Sequence, residues 1–118
     1  MPQSMPDAAT LLKAAVNYLE SELMPTLSGY HRFQTRVTTN VLNAVCRELE
    51  LRDAQRANER ERLGAILGHD GETEKLSLEL CEKIRSGAIA VDDHSLRAHI
   101  RQSLAEALAI NNPRWIER

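Results

Sequence analysis

Apolar residues recur at spacings of three and four along most of this sequence, and no stretch shows the alternation of a strand. That period places the apolar side chains on one face of an α-helix. We divide the 118 residues into five helical segments: 7–24, 30–51, 53–67, one from Thr73 to Gly87, and one from Asp92 or Asp93 to Asn111. The sequence therefore predicts an all-α fold, a single-domain five-helix bundle over residues 1–118, with residues 1–6 and 113–118 as flexible or folded-back tails.

The second segment is the longest and has the widest apolar surface. Its apolar residues form two adjacent rows, Phe33, Val37, Val41, Ala44 and Val45, and beside them Leu42, Cys46 and Leu49. Together these positions spread over roughly 220° of the helix circumference. A surface helix needs a narrower stripe, so we predict a long central helix that neighbours contact on several sides.

The fourth and fifth segments each show one apolar row. We expect Thr73 to be the N-cap of the fourth helix and Gly87 to end it. The predicted buried rows are Leu76, Leu80, Cys81 and Ile84 in the fourth helix, and Leu96, Ile100, Leu104, Ala107 and Leu108 in the fifth. Both cysteines, Cys46 and Cys81, fall on apolar rows, which predicts two reduced, buried thiols.

The composition excludes several classes of partner. Fifteen Lys and Arg against seventeen Asp and Glu give a net charge of −2, which argues against nucleic-acid binding. No apolar run approaches the ~18 residues that cross a bilayer. The first residues lack the basic and then apolar order of a secretory signal, so we expect a cytoplasmic protein.

No motif in the sequence points to catalysis, a metal or a cofactor. The charged run 47–62 holds five arginines and five acidic residues, which is typical of a solvated helix face with intrahelical pairs. The four histidines show no metal-ligand spacing. The segment 68–71 has glycines at both ends but no Gly-Lys-Ser/Thr, so it predicts a turn and not a phosphate loop. We therefore expect no catalytic residues, no metal and no cofactor.

Two features are candidates for a partner or ligand surface. Arg36, Asn40, Asn43 and Arg47 recur at spacings of four, three and four in the second segment, on the side away from the apolar rows. They form either the solvent-exposed edge of a central helix or a recognition stripe for a partner or an anionic ligand. Trp115 lies beyond the last helix, where it either folds back on the bundle or is free to contact a partner.

Several short motifs, in order along the chain, resemble those of a known family. They are residues 6–12, Phe33-x-x-Arg36-Val37-x-x-Asn40, residues 47–50, Ile84-Arg85-x-Gly87 and residues 112–114. The chain resembles a bacterial family of small all-helical proteins without assigned function, typically encoded beside aminoglycoside-phosphotransferase-like kinases and acyl-CoA dehydrogenases. The resemblance implies association with such enzymes in the metabolism of acyl-CoA compounds, and it supplies no catalytic residues.

These observations together predict a non-enzymatic accessory or interaction protein. Its expected partner is a phosphotransferase-like kinase or an acyl-CoA dehydrogenase, with docking through the polar stripe or the tail. The alternative is a small-molecule binding helical domain, with acyl-CoA or a nucleotide as ligand in a pocket between helices. Self-association through leftover apolar surface on the first or fifth helix is a third hypothesis.

Overall fold

The computed structural model describes residues 7–115, and of Trp115 the backbone alone. Its elements are α1 (Ala8–Tyr18), a π-helical turn (Leu19–Leu23), a 3-10 turn (Met24–Thr26), α2 (Gly29–Leu67), α3 (Thr73–Ser86), α4 (His94–Asn111) and a final 3-10 turn (Pro113–Trp115). Since no strand occurs in this range, the all-α class is confirmed. The predicted count of five helices is wrong, because the structure has four α-helices there. Of the predicted tails, residues 1–6 and 116–118 lie outside the described residues, and the first part of the tail predicted at 113–118 forms the final 3-10 turn.

The helix count differs because α2 continues through the boundary that we predicted near residue 52. Between Tyr30 and Leu63 the chain contains neither proline nor glycine, so nothing in the backbone stops the helix. The polar run that follows Leu51 changes which face is apolar without ending the helix. Gly68 ends it with a φ of +84°, a conformation that favours glycine, and its N–H donates to the Gly64 carbonyl at 2.8 Å.

The first helix has a well-defined start and an irregular end. The Asp7 side chain accepts a hydrogen bond from the Thr10 N–H at 2.9 Å, as an N-cap does. After Tyr18 the helix widens, because the Met24 N–H bonds to the Leu19 carbonyl five residues back. Pro25 then lies inside a 3-10 turn, so the helical path runs on to Thr26 and does not stop at Met24 as predicted.

The described residues group into two compact units. The first comprises residues 7–51 and 110–112, and its buried side chains include Val16, Met24, Thr39 and Cys46. The second comprises residues 52–109 and 113–115. Its core consists of Leu63, Leu76, Leu80 and Leu96, with Ile66, Leu67, Ile84 and Ile89 packed against it.

The helix ends of the second unit match the prediction in two of three places. Gly87 ends α3 with a φ of +82°, and Asp93 caps α4 by accepting the Leu96 N–H at 2.9 Å. Thr73 is not the N-cap of α3, since the helix already includes it and Glu72 holds the cap position.

Three predictions of burial are wrong. Phe33 and Val41 are exposed on α2, so neighbours do not cover the row that made this helix look central. On α4, Ile100 and Leu104 are also exposed, because the inward side of this helix is the one that carries buried His99. Of the two thiols, Cys46 is buried as predicted and Cys81 is exposed.

Within residues 7–115, none of the helices combines the length and the apolar character needed to cross a membrane.

Candidate functional site

A cluster of polar side chains joins α2 to α4 within the second unit. Arg62 on α2 donates from Nε to His99 Nδ1 at 3.1 Å, and from Nη2 to Ser103 Oγ at 3.2 Å and Glu106 Oε1 at 2.9 Å. The three acceptors are spaced by four and three residues, so they lie on one face of α4. One guanidinium group therefore fixes three consecutive turns of α4.

The pair of charges in this cluster is largely shielded from water. The Arg62 side chain is 21% exposed and that of Glu106 is 13% exposed. Gln55 on α2 adds a second link, because its Nε2 donates to the Glu106 carbonyl at 2.9 Å. In such an environment a charge-assisted hydrogen bond is stronger than one at the surface.

The contacts also define the protonation of His99. Its Nδ1 accepts from Arg62, so the proton of the neutral ring is on Nε2. Burial of the ring, and then the charge of Arg62, lower the pKa of His99 below its usual value. His99 is therefore neutral at pH 7, with an N–H donor at Nε2.

Two donors of the cluster make no hydrogen bond within it. Every buried side-chain nitrogen and oxygen among the described residues has a hydrogen-bond partner. Arg62 Nη1 and His99 Nε2 take part in none of the described bonds, so both atoms reach solvent. Arg62 and His99 line an open cleft of about 600 Å³ between α2 and α4. Asn58 and Gln102 add amides to its lining, and Ala65, Ile66 and Ala98 add an apolar wall.

The first unit presents a different feature, a row of exposed apolar side chains that we name the exposed α2 face. It consists of Tyr30 (69% exposed), Phe33 (63%), Val37 (41%), Val41 (58%) and Val45 (38%). At 100° per residue these five positions lie within about 120° of the helix circumference. Thr39 and Cys46, which are buried, lie on the opposite side, so α2 packs through one side and exposes an apolar row on the other.

The structure divides the predicted polar stripe on α2. Asn43 donates to Glu20 Oε1 at 3.2 Å, and Arg47 Nε donates to the Ile110 carbonyl at 2.7 Å. These two side chains therefore hold parts of the first unit together. Arg36 and Asn40 are exposed, and Asn40 borders the exposed α2 face. The fifth candidate, Trp115, has its backbone in the last 3-10 turn, and its side chain lies outside what the structure describes.

The segment from Gly68 to Gly71 is a connection between α2 and α3, as predicted, and one ion pair and one histidine–carboxylate contact hold it. Arg60 binds Asp70 through two bonds of 2.9 and 3.1 Å. His69 Nε2 lies 2.8 Å from both Glu79 oxygens, and its Nδ1 lies 3.1 Å from the Asp70 carbonyl. The hydrogen bond to Glu79, followed by the one to the Asp70 carbonyl, raises the pKa of His69. This arrangement anchors the loop.

The charged run at 47–62 is more than a solvated face. The ion pairs of Arg60 and Arg62 are with Asp70 and Glu106, which lie outside the run. In the part of the chain that the structure describes, no group of three His, Cys, Asp or Glu side chains could hold a metal ion.

The sequence pattern did not predict the Arg62 cluster. The available signal was a polar series, His99, Ser103 and Glu106, at the spacing of one helix face. We instead assigned the inward face of α4 to Ile100 and Leu104, because an apolar row at helical spacing is the stronger pattern.

Comparison with protein families gives one result. A family described as a domain of unknown function, DUF6285, matches residues 25–115. Neither the curated proteins nor the solved structures include a match to this chain.

Proposed function

The chain belongs to the DUF6285 family of unknown function, and we propose from its own surfaces that it is a non-enzymatic interaction protein. The observation that carries the proposal is the exposed α2 face. Five apolar side chains between Tyr30 and Val45 are 38–69% exposed on one side of a helix whose other side is packed.

The size of this face is that of an interaction site. From the exposed fractions and the areas of such side chains, it amounts to about 500 Å² per chain. Apolar patches of several hundred Å² on a soluble domain mark sites of association. Covering this one would contribute favourably at about 25 cal/mol per Å².

The occupant that we propose is a second copy of the chain. Two such faces together bury about 1,000 Å², and the bordering polar residues bring the total into the range of 1,200–2,000 Å² that a stable interface buries. In an isologous interface both copies use the same surface, so residues of the exposed α2 face contact residues of the same face on the other copy. Gln34, Thr38 and Asn40, which border the face, are uncharged, so self-pairing brings no like charges together there.

The order of residue sizes favours an antiparallel pair of α2 helices. The aromatic residues Tyr30 and Phe33 lie at one end of the face, and Val45 lies at the other. In an antiparallel pair, Phe33 meets Val45 and Val37 meets Val41, so large side chains pack against smaller ones. A parallel pair would instead place Phe33 against Phe33.

The mass of the protein in solution tests the proposal directly. We expect light scattering after gel filtration to give twice the chain mass of 13.3 kDa for the wild type, and the single mass for Val37→Glu/Val41→Glu. Leu78→Glu, at a side chain of α3 that is 69% exposed, is the matched control and should remain dimeric. A monomeric wild type refutes self-pairing, and a dimer that survives the double substitution shows that another surface forms it.

Disulfide formation tests the orientation. In a Cys81→Ser background, which removes the exposed native thiol, a Phe33→Cys chain mixed with a Val45→Cys chain should give a covalent heterodimer. Phe33→Cys alone should not, because twelve residues of helix separate the two thiols by about 18 Å, and a disulfide needs Cα atoms within about 7 Å. The reverse result would establish a parallel pair.

The resemblance to a family encoded beside bacterial kinases and acyl-CoA dehydrogenases adds an accessory role to the proposal. An aminoglycoside-phosphotransferase-like kinase, or an acyl-CoA dehydrogenase, is then the enzyme that the pair assists. A purified enzyme of either class, mixed with this chain, should co-elute in gel filtration. If the chain is dimeric and both enzymes elute without it, the accessory role is wrong while the self-pairing remains.

A further inference from the structure

We propose that Asp70–Gly71 is a site of spontaneous isoaspartate formation, and that Arg60 suppresses this reaction in the folded protein. The site lies in the connection between α2 and α3 and is independent of the exposed α2 face. It rests on the residue pair itself, on the position of the Asp70 carboxylate beside the Gly71 nitrogen, and on the bonds of that carboxylate to Arg60.

The reaction needs no reagent other than water. The backbone nitrogen of Gly71 attacks Cγ of Asp70, an N–Cγ bond forms, and the nitrogen proton leaves with the hydroxyl of the protonated carboxyl group as water. A second water molecule then opens the five-membered imide at one of its two carbonyls. One opening restores aspartate, and the other gives isoaspartate, in which the side-chain carbons have become part of the main chain. Nothing is oxidised or reduced.

The sequence and the local geometry both favour this reaction at Asp70. It is the only Asp or Asn in the sequence that a glycine follows, and glycine has no Cβ to hinder the approach of its nitrogen to the carboxyl group. The Gly71 N–H donates to Asp70 Oδ1 at 2.8 Å, so the attacking nitrogen already lies beside the carboxyl group. The Asp70 side chain is 74% exposed, so water reaches it for the second step.

Arg60 opposes the reaction because it holds the carboxyl group in its charged form. Its Nε donates to Asp70 Oδ1 at 2.9 Å and its Nη2 donates to Oδ2 at 3.1 Å, so the guanidinium engages both oxygens. These bonds, followed by the one from the Gly71 N–H, lower the pKa of Asp70. A carboxylate reacts poorly, since the departing oxygen would carry two negative charges. An ion pair that contributes little to stability therefore preserves the covalent structure of this loop.

The experiment is ageing of the full chain at physiological temperature and mildly acidic pH. Enzymatic methylation of isoaspartyl groups measures their amount, and peptide mapping gives their position. We expect slow accumulation at residue 70 in the wild type. In Arg60→Met it should be about threefold faster or more, because the pKa of Asp70 returns toward the ordinary value near 3.9 and more of the carboxyl group is protonated.

Two variants control for loss of an ion pair and for the site of attack. Arg85→Met removes the comparably exposed pair of Arg85 with Glu82 and leaves Arg60 in place, so it should age as the wild type does. Gly71→Ala, added to Arg60→Met, should abolish the increase. A Cβ at Gly71 would lie 3.4 Å from Leu76 Cδ2, an ordinary contact that the loop accommodates.

Three outcomes would overturn the proposal. Equal rates in the wild type and Arg60→Met, or an equal increase in Arg85→Met, would show that Arg60 does not protect Asp70. Isoaspartate that persists after Gly71→Ala or that maps to another residue would show that Asp70–Gly71 is not the site. The absence of isoaspartate from both the wild type and Arg60→Met would show that this pair does not react.

Discussion

Replacement of Arg62 by Met should destabilise the protein strongly, because the Arg62 guanidinium balances the negative charge of the Glu106 carboxylate, which is shielded from water. Met keeps most of the aliphatic volume and removes the guanidinium group, so Glu106, whose side chain is 13% exposed, loses its cationic partner. Breaking a fully buried pair costs about 3–5 kcal/mol. Arg62 is itself 21% exposed and water reaches one side of it, so we expect a loss of about 2–3 kcal/mol in the free energy of unfolding.

Urea unfolding followed by circular dichroism at 222 nm measures this loss. The denaturation midpoint should fall while the slope of free energy against urea stays unchanged. Arg60→Met is the matched control, since Arg60 pairs with Asp70 where both side chains are more than half exposed. Exposed pairs contribute little, so this variant should unfold close to the wild type.

A double-mutant cycle with Glu106→Gln isolates the pair. Once the carboxylate is an amide, loss of the guanidinium leaves no unpaired charge. The two substitutions together should therefore cost less than the sum of their separate costs, by about 1 kcal/mol. The reasoning is refuted if Arg62→Met costs no more than Arg60→Met, or if the costs are additive.

Four further predictions concern pH, the backbone and the thiols. The pKa of His99 is lowered in the folded state. The contribution of this residue to stability is therefore complete above its unfolded pKa near 6.5, and it is lost as the pH falls through the folded pKa. His99→Asn should flatten the acid side of a plot of melting temperature against pH. The folded pKa of His69 is raised, so its contribution is complete below pH 6.5 and is lost as the pH rises through the folded pKa, and His69→Gln should remove that loss. Gly87→Ala should cost about 1 kcal/mol in urea unfolding, since a φ of +82° strains any residue with a Cβ; a neutral effect would contradict this. Ellman's reagent should titrate Cys81 alone in the native protein and Cys46 only after unfolding, and two reactive thiols in the native state would contradict the burial of Cys46.

The sequence predicted those features that depend on local chemistry. Asp93 and Gly87 mark the ends of helices because a side-chain acceptor and a left-handed glycine satisfy the terminal backbone groups, whatever the tertiary structure. The all-α class follows from the apolar period for the same reason. Local chemistry also explains the error near residue 52, because a change in the apolar face does not break a helix unless proline or glycine interrupts the backbone.

Features that depend on which surfaces meet were not predictable in this way. Ile100 and Leu104 form a convincing apolar row, yet the inward side of α4 is the one with His99, because Arg62 lies opposite and supplies donors for that side. Val37 and Val41 also look like core residues, and the chain by itself leaves them exposed. An apolar row indicates a contact, but it does not tell whether the contact is within the chain or with another copy.

The wide turn at Leu19–Leu23 has a consequence for changes in chain length. Loss of a residue from a regular helix rotates everything after it by about 100°, which takes side chains off their face. A π turn already carries one surplus residue, so removal of Ser21 would restore ordinary winding and leave Val16 and Met24 facing inward. Homologues one amino acid shorter are therefore most easily accommodated at this place.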